Sequence, residues 1–348
     1  MSWFVIQKDL PPRKRAVLIL LSFVLPIVLW SLVSYVPVVW HPMMEVTDPG
    51  DSPYLEQGQL IKRDIFDQEN KRLLENGDAP IAGFRANPVY LPAPHEVLVA
   101  VYTAFKTPPR RPSEPWLHQS LAHSIRVVFY GFFLSSVIGV PLGIFCGVFS
   151  FFSKLFEPFF EFFRYMPAPV FGALAVAILG INDGPKIAII FIGTFFQQVL
   201  VIANTTRQMD PSLLEAAQTL GAKGPTLLRK VVLPAVAPTV FLDMRILLGW
   251  AWTYLIVAEV IGTSTGITWF ITQQAKYLVY ENVYAAILLI GVIGLGTDML
   301  LAWLGRNLFV WSGGKRGPFF QFLHELVTGP WDEPFTFVQK RRERNACN

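Results

Sequence analysis

Apolar residues run through this chain in blocks of about 20, the length that crosses a bilayer as a helix. The first block, "AVLILLSFVLPIVLWSLVSYVPVVW", covers residues 16–40 and follows the basic "PPRKR". It is too long for the apolar part of a signal peptide, and no A-x-A-like site follows it. It therefore predicts a retained helix, with Pro26 as a kink. Further blocks predict spans at about 124–149, 169–181, 185–204, 235–261 and 284–304. The third is short and is broken by Pro167, Pro169, Gly172 and Gly180. The pattern predicts an all-α polytopic membrane protein with six transmembrane helices and both termini on one side.

Charge refines this picture. Only 16% of residues are charged, against about 25% in a soluble domain, and the mean hydropathy is +0.43. Four basic groups flank the spans: Arg13, Lys14 and Arg15; Lys154 and Arg164; Arg207, Lys223, Arg229 and Lys230; Arg306, Lys315 and Arg316. In a six-span arrangement all four fall on the same side, which the positive-inside rule makes cytoplasmic. The net charge of +4 is then a property of these loops and does not call for a nucleic acid partner. Cys146 and Cys347 are too far apart in the sequence to suggest a disulfide framework, and the scattered histidines show no metal-ligand spacing. No metal or other cofactor is expected on this chain.

The apolar pattern divides the chain into a cytoplasmic N-terminus and first helix (1–40), an extended outer loop (41–123), a five-helix core (124–310) and a cytoplasmic tail (311–348). In the loop, "QLIKRDIFDQENKRLLENG" predicts an amphipathic helix with Ile61, Ile65, Phe66 and Leu73 inward and Gly77 as its stop. This loop is either a solvated spacer or a docking surface. "LPAPHEVLVAVYTAF", residues 91–105, predicts a helix started by proline at the outer interface. In "FFSKLFEPFFEFFRYMP", Lys154, Glu157, Glu161 and Arg164 share one helical face. That segment is either an interfacial helix or the deeper beginning of the third span. The tail contains "FFQFLHELV" and ends in the basic "QKRRERN", which predicts one more interfacial helix.

Between the fourth and fifth spans lies "DPSLLEAAQTLGAKGPTLLRKVVLPAVAPTV", a polar interruption with its own helix signals. Asp210 is placed as an N-cap and Pro211 at the first helical position. Leu213, Leu214, Ala217 and Leu220 recur at helical spacing, and Gly221 is placed as the C-cap glycine. A second short helix, "GPTLLRKVV", leads to Leu233 and Pro234, where the chain re-enters lipid. The result is a short helix, 210–222, lying across the cytoplasmic surface and held by a span on either side. Glu215 and the small pair Ala216 and Ala217 would let another protein pack closely against it.

Here the chain resembles a known family. Glu215-Ala216-Ala217, then Gly221, then Leu233-Pro234 is similar to the EAA motif of binding-protein-dependent ABC importer permeases. More of the chain, about 91–311, resembles the nitrate/sulfonate/taurine-type branch. "LPAPHEVL" is similar to that branch's Leu-Pro-Ser-Pro opening. "HQSLAHSIRVVFYGFFLSSVIGVPLGIFCG" is similar to its glycine-rich second span, and "AWTYLIVAEVIGTSTGITWFI" to its Ala-Glu-x-Ile-Gly segment. Three places differ: "RYMPAPVFGALAV" replaces a proline-rich approach to span three, Phe195-Phe196-Gln197-Gln198 replaces Phe-Phe-Pro-Ile, and residues 41–90 and the tail after Trp311 are additions to the branch's pattern.

The resemblance implies a type I ABC importer permease (MetI-like) fold in the bacterial inner membrane. It implies two ABC ATPase subunits that hold ATP and Mg, a periplasmic substrate-binding protein, and a second permease subunit, as a homodimer. It also implies a small anion as cargo: nitrate, a sulfonate, taurine or similar. Glu215, Ala216, Ala217, Gly221, Leu233 and Pro234 would be the ATPase-coupling residues. The chain has no G-x-x-x-x-G-K-[ST] phosphate loop of its own, so it is not expected to hydrolyse ATP. Polar side chains inside spans are costly in lipid and mark either a substrate path or helix–helix packing. On this ground Gln197, Gln198, Asn204, Arg245, Trp252 and Glu259 are candidates for the path. Gln197 and Gln198 point about 100° apart, so only one of them faces it. Arg245 could attract an anion, or pair with Asp243 or a lipid headgroup. The competing readings are a secondary transporter, which would need inverted repeats, and a membrane scaffold with no ATPase partner.

Overall fold

The computed structural model describes residues 11–36, 42–86, 90–109, 111–112, 114–261 and 265–312. The predicted tail helix and basic end lie outside them, as do the first ten residues. Among the described residues, five helices are long and apolar enough to cross a membrane: Arg13–Tyr35, Leu117–Val148, Asp183–Arg207, Gly224–Ile261 and Tyr280–Leu308. A sixth crossing is available only if Ser150–Arg164 and Ala168–Leu179, bent by 90°, act as one. The third span is thus short and broken, as its prolines and glycines predict. Its helix, Gly172–Leu179, has 8 residues, about 12 Å at 1.5 Å per residue, well short of the hydrocarbon thickness.

The chain folds as two compact units. In the first, α1 (Pro12–Tyr35) is anchored at its C-terminal end. Trp30 Nε1 donates to the Pro92 carbonyl at 3.0 Å, and Ser34 Oγ to that of Leu91 at 3.2 Å. These carbonyls precede α3 (Pro94–Lys106), which starts at the predicted proline; the Glu96 carboxylate accepts from the Ala93 N–H at 2.7 Å.

The all-α expectation fails in the extended loop. Three short strands, β1 (Met43–Asp48), β2 (Leu60–Lys62) and β3 (Ala82–Arg85), form an antiparallel sheet in the order β2-β1-β3. Met44 pairs with Ile61 and Arg85, and Glu45 with Leu60 and Phe84. The amphipathic helix forms as α2 (Arg63–Asn76) and stops at Gly77 in the left-handed conformation. Its inward set differs from the expected one. Phe66 and Leu73 pack with Val46, Ile61 and Ile81. Ile61, however, reaches this core from β2, and Ile65 is exposed. Gly83 makes room for the packing, since a Cβ there would lie 2.9 Å from the Phe66 ring.

The second unit holds the larger part of the apolar helices. Within it α4 (Leu117–Val148) and α7 (Asp183–Arg207) run side by side through small residues spaced four apart. A Cβ on Gly131 would meet Ile190 at 2.7 Å, on Gly143 Ile202 at 2.8 Å, and on Gly147 Thr206 at 2.4 Å. The partners step by fours as well, so this is one continuous seam between parallel helices. Lipid gives no hydrophobic drive for helices to associate, and such close backbone approach supplies van der Waals contact instead. On another side of α7, Gly193 receives the ring of Tyr254 from α10 (Leu233–Ile261). The phenylalanine-rich α5 (Ser150–Arg164) lays Phe156, Phe160 and Phe163 against Phe195 and Phe196 of α7. Its Glu157 pairs with Arg207.

Candidate coupling surface and intramembrane polar residues

The helix between α7 and α10 forms where its local signals place it. It is α8, Pro211–Thr219, and the Asp210 side chain accepts from the Ser212 N–H at 2.9 Å. That hydrogen bond holds the Asp210 carboxyl below its usual range. At the other end Gly221 adopts φ +87°; its N–H donates to the Gln218 carbonyl, and the Ala222 N–H to that of Ala217, both at 2.9 Å. This is a Schellman motif, which needs a glycine for its backbone angle. The second expected helix merges with the span: α9 (Gly224–Leu227) passes through a π-helical turn, Leu228–Val232, straight into α10. Leu233 and Pro234 are thus the first residues of α10.

No residue of α8 is buried. Leu214 attaches it to a core of Ile144, Ile202, Val232 and Val236. Leu214 and Ala217 are half-buried, whereas Leu213, Glu215, Ala216 and Leu220 are exposed, Leu220 to 89%. Glu215 has no ion-pair partner among the described residues. The four apolar positions predicted for one face are therefore split between an anchoring face and an outward one.

The intramembrane polar candidates separate by role. Gln198 is wholly buried. Its Oε1 accepts from Ser135 Oγ at 2.5 Å, and its Nε2 donates to Ser136 Oγ at 3.1 Å and Met244 Sδ at 2.8 Å. It joins α4, α7 and α10 in one bonded cluster. Replacing it, Gln198→Leu, should lower the stability of the solubilised protein by about 1 kcal/mol, the range of interhelical hydrogen bonds in lipid. Thermal unfolding in detergent would show this, and an unchanged midpoint would rule out the bridging role.

Gln197 is half-buried and Asn204 exposed, with Asn204 Oδ1 accepting from Arg207 Nη1 at 2.9 Å. Seven residues apart, they share a face of α7. Arg245, Trp252 and Glu259 share a face of α10 by the same spacing. Glu259 is buried, and Trp252 Nε1 is buried without a hydrogen-bond acceptor among the described residues.

Arg245 does not pair with Asp243, whose carboxylate accepts from Thr205 Oγ1 at 2.5 Å. Its partner is Asp298 of α12 (Tyr280–Leu308), held by two hydrogen bonds of 2.9 and 2.8 Å. Sequence reasoning missed Asp298, although an aspartate inside an apolar span was itself the signal. Lys186 is fully buried at the start of α7, 3.5 Å from Asp183 Oδ1. Among the described residues no cluster of His, Cys, Asp and Glu can hold a metal.

Residues 139–310 match the family described as binding-protein-dependent transport system inner membrane component. A probable ABC transporter permease protein of Brucella abortus (strain 2308) is 33% identical over 189 residues, covering 54% of this chain and 76% of that protein. The chain belongs to the binding-protein-dependent transport system inner membrane component family. It is a multi-pass inner membrane permease of an ABC importer, not its ATPase, and such permeases pair with an ATPase and a binding protein. The permease is also 28% identical over 227 residues to the taurine transport system permease protein TauC of Escherichia coli (strain K12), covering 65% of this chain and 82% of that one. Against the bicarbonate transport system permease protein CmpB of Synechococcus elongatus it is 30% identical, covering 54% and 68%. Among solved structures, a chain of the inward-facing MetNI methionine ABC transporter aligns with a TM-score of 0.48 at 20% identity, over 56% of this chain and 95% of that one.

Proposed function

We propose that this permease moves a small anion, such as a sulfonate, taurine, bicarbonate or nitrate, into the cytoplasm. It does so as a homodimer with a type I importer fold, two ATPase subunits that hold ATP and Mg, and a periplasmic binding protein. Both termini and α8 lie in the cytoplasm, and the sheet-containing loop lies in the periplasm. The observation that carries the reading is α8: a capped helix with no buried residue, bearing Glu215, Ala216 and Ala217 and tied at both ends to membrane helices. Closure of the ATPase pair moves α8, and α8 moves α7 and α10 with it. A ligand can drive such a switch only by binding its two states differently, and here the ATPase supplies that difference.

The anion class rests on relatives whose names state taurine, bicarbonate and aliphatic sulfonates. Gln197 and Asn204 of α7 and Trp252 and Glu259 of α10 border the path, and Gln198 holds the helices beside it. Arg245, also a candidate from the sequence, is matched by Asp298 of α12 and so offers an anion no net charge. The test is uptake into proteoliposomes holding the full complex, with radiolabelled taurine, an alkanesulfonate, bicarbonate and nitrate. Uptake of one of these is expected only when ATP, the ATPase and the binding protein are all present. Transport by the permease alone would overturn the proposal.

A further inference from the structure

A groove of about 390 Å³ lies between α10 and α12 at the end of the bundle that carries α8. Trp311 fixes this end: its Nε1 donates to the Pro234 carbonyl at 3.0 Å, tying the close of α12 to the first turn of α10. The indole is largely exposed, as is usual for tryptophan at a membrane–water boundary. The walls of the groove are apolar: Pro238, Phe241, Leu242, Leu301, Ala302 and Phe309. Two arginines also line it, and they differ. Arg245, at the deep end, is matched by Asp298. Arg306 is exposed and has no acidic partner among the described residues. It stands eight residues from Asp298 along α12, about 12 Å nearer the boundary. The groove thus has a cationic rim, an apolar length and a deep end with no net charge.

We propose that this groove binds one anionic phospholipid, with the phosphate at Arg306 and an acyl chain along Phe241, Leu242 and Leu301. The charge pattern selects the occupant. A neutral lipid leaves Arg306 unmatched, a free phosphate leaves the apolar walls uncovered, and a second protein copy would have to bring an acidic group to the rim. A basic side chain at a membrane surface favours an anionic lipid by about fivefold in affinity.

The test is native mass spectrometry of the full-length permease in mild detergent, titrated with phosphatidylglycerol or with phosphatidylcholine of the same chains. One tightly held phosphatidylglycerol is expected, at about one-fifth of the concentration that phosphatidylcholine requires. Arg306→Gln should abolish the preference while leaving the melting temperature unchanged, because the side chain is exposed. Ala302→Trp, which fills the groove and keeps the charge, should remove the adduct. The proposal is overturned if Arg306→Gln keeps the preference or if inorganic phosphate displaces the lipid at millimolar concentration. It is also overturned if Ala302→Trp leaves the adduct intact and splits a dimer, which would make the groove a contact between copies.

Discussion

Replacing Glu215 with lysine is expected to abolish ATP-driven uptake while leaving the permease folded. Lysine and glutamate have similar helix propensity, and Glu215 is exposed with no ion-pair partner among the described residues. The unfolding midpoint in detergent should therefore move by no more than an exposed surface substitution allows, about 0.5 kcal/mol. Reversing a charge at the centre of a protein–protein contact costs roughly 2 kcal/mol, which is about a thirtyfold loss of affinity. Co-purification of the ATPase and uptake into proteoliposomes read the two consequences separately. If the ATPase stays bound and uptake persists, α8 is not the coupling surface. If the ATPase stays bound and uptake stops, α8 transmits motion, but Glu215 is not needed for docking.

Gly147→Val is expected to be the most destabilising single change in the α4–α7 seam. A Cβ at this position would lie 2.4 Å from Thr206 Cβ and 2.8 Å from the Ala203 carbonyl oxygen. The second of these is backbone and has no rotamer to escape into. Valine adds two methyl groups at that crowded point, so the helices must separate, at a cost of about 3 kcal/mol or more. Because the seam continues through Gly143 and Gly131, the displacement would disturb the Gln198 cluster as well. Gly249→Ala is the control: nothing among the described residues lies within 4 Å of a Cβ there, so it should not destabilise, and helix propensity favours it by up to about 1 kcal/mol. Limited proteolysis and thermal unfolding of both variants would check the contrast. Equal stability of the two would mean that the seam does not hold the helices together.

The coupling helix and the extended loop show how unevenly the sequence could be read. Asp210, Pro211 and Gly221 act within one turn of themselves, so their roles were visible in the order of residues. Gly77 was legible for the same reason. The sheet was not. Its strands have six, three and four residues, too few for a period to stand out, and they pair across gaps that the sequence leaves open. Ile61 is expected on the helix from the sequence; only the pairing with Met44 places it on β2.

The sequence by itself determined that most of this chain lies in lipid, roughly where it crosses, and where a capped polar helix interrupts two spans. Those features follow from hydrophobic length and from caps that satisfy nearby backbone groups, and neither needs a distant partner. Only the tertiary structure decided that Arg245 is neutralised by Asp298, that Gln198 joins three helices, and that Lys186 is buried. Each of these depends on how neighbouring helices are rotated and staggered. An apolar span looks alike on all sides in the sequence, so its pattern does not reveal which face meets which neighbour.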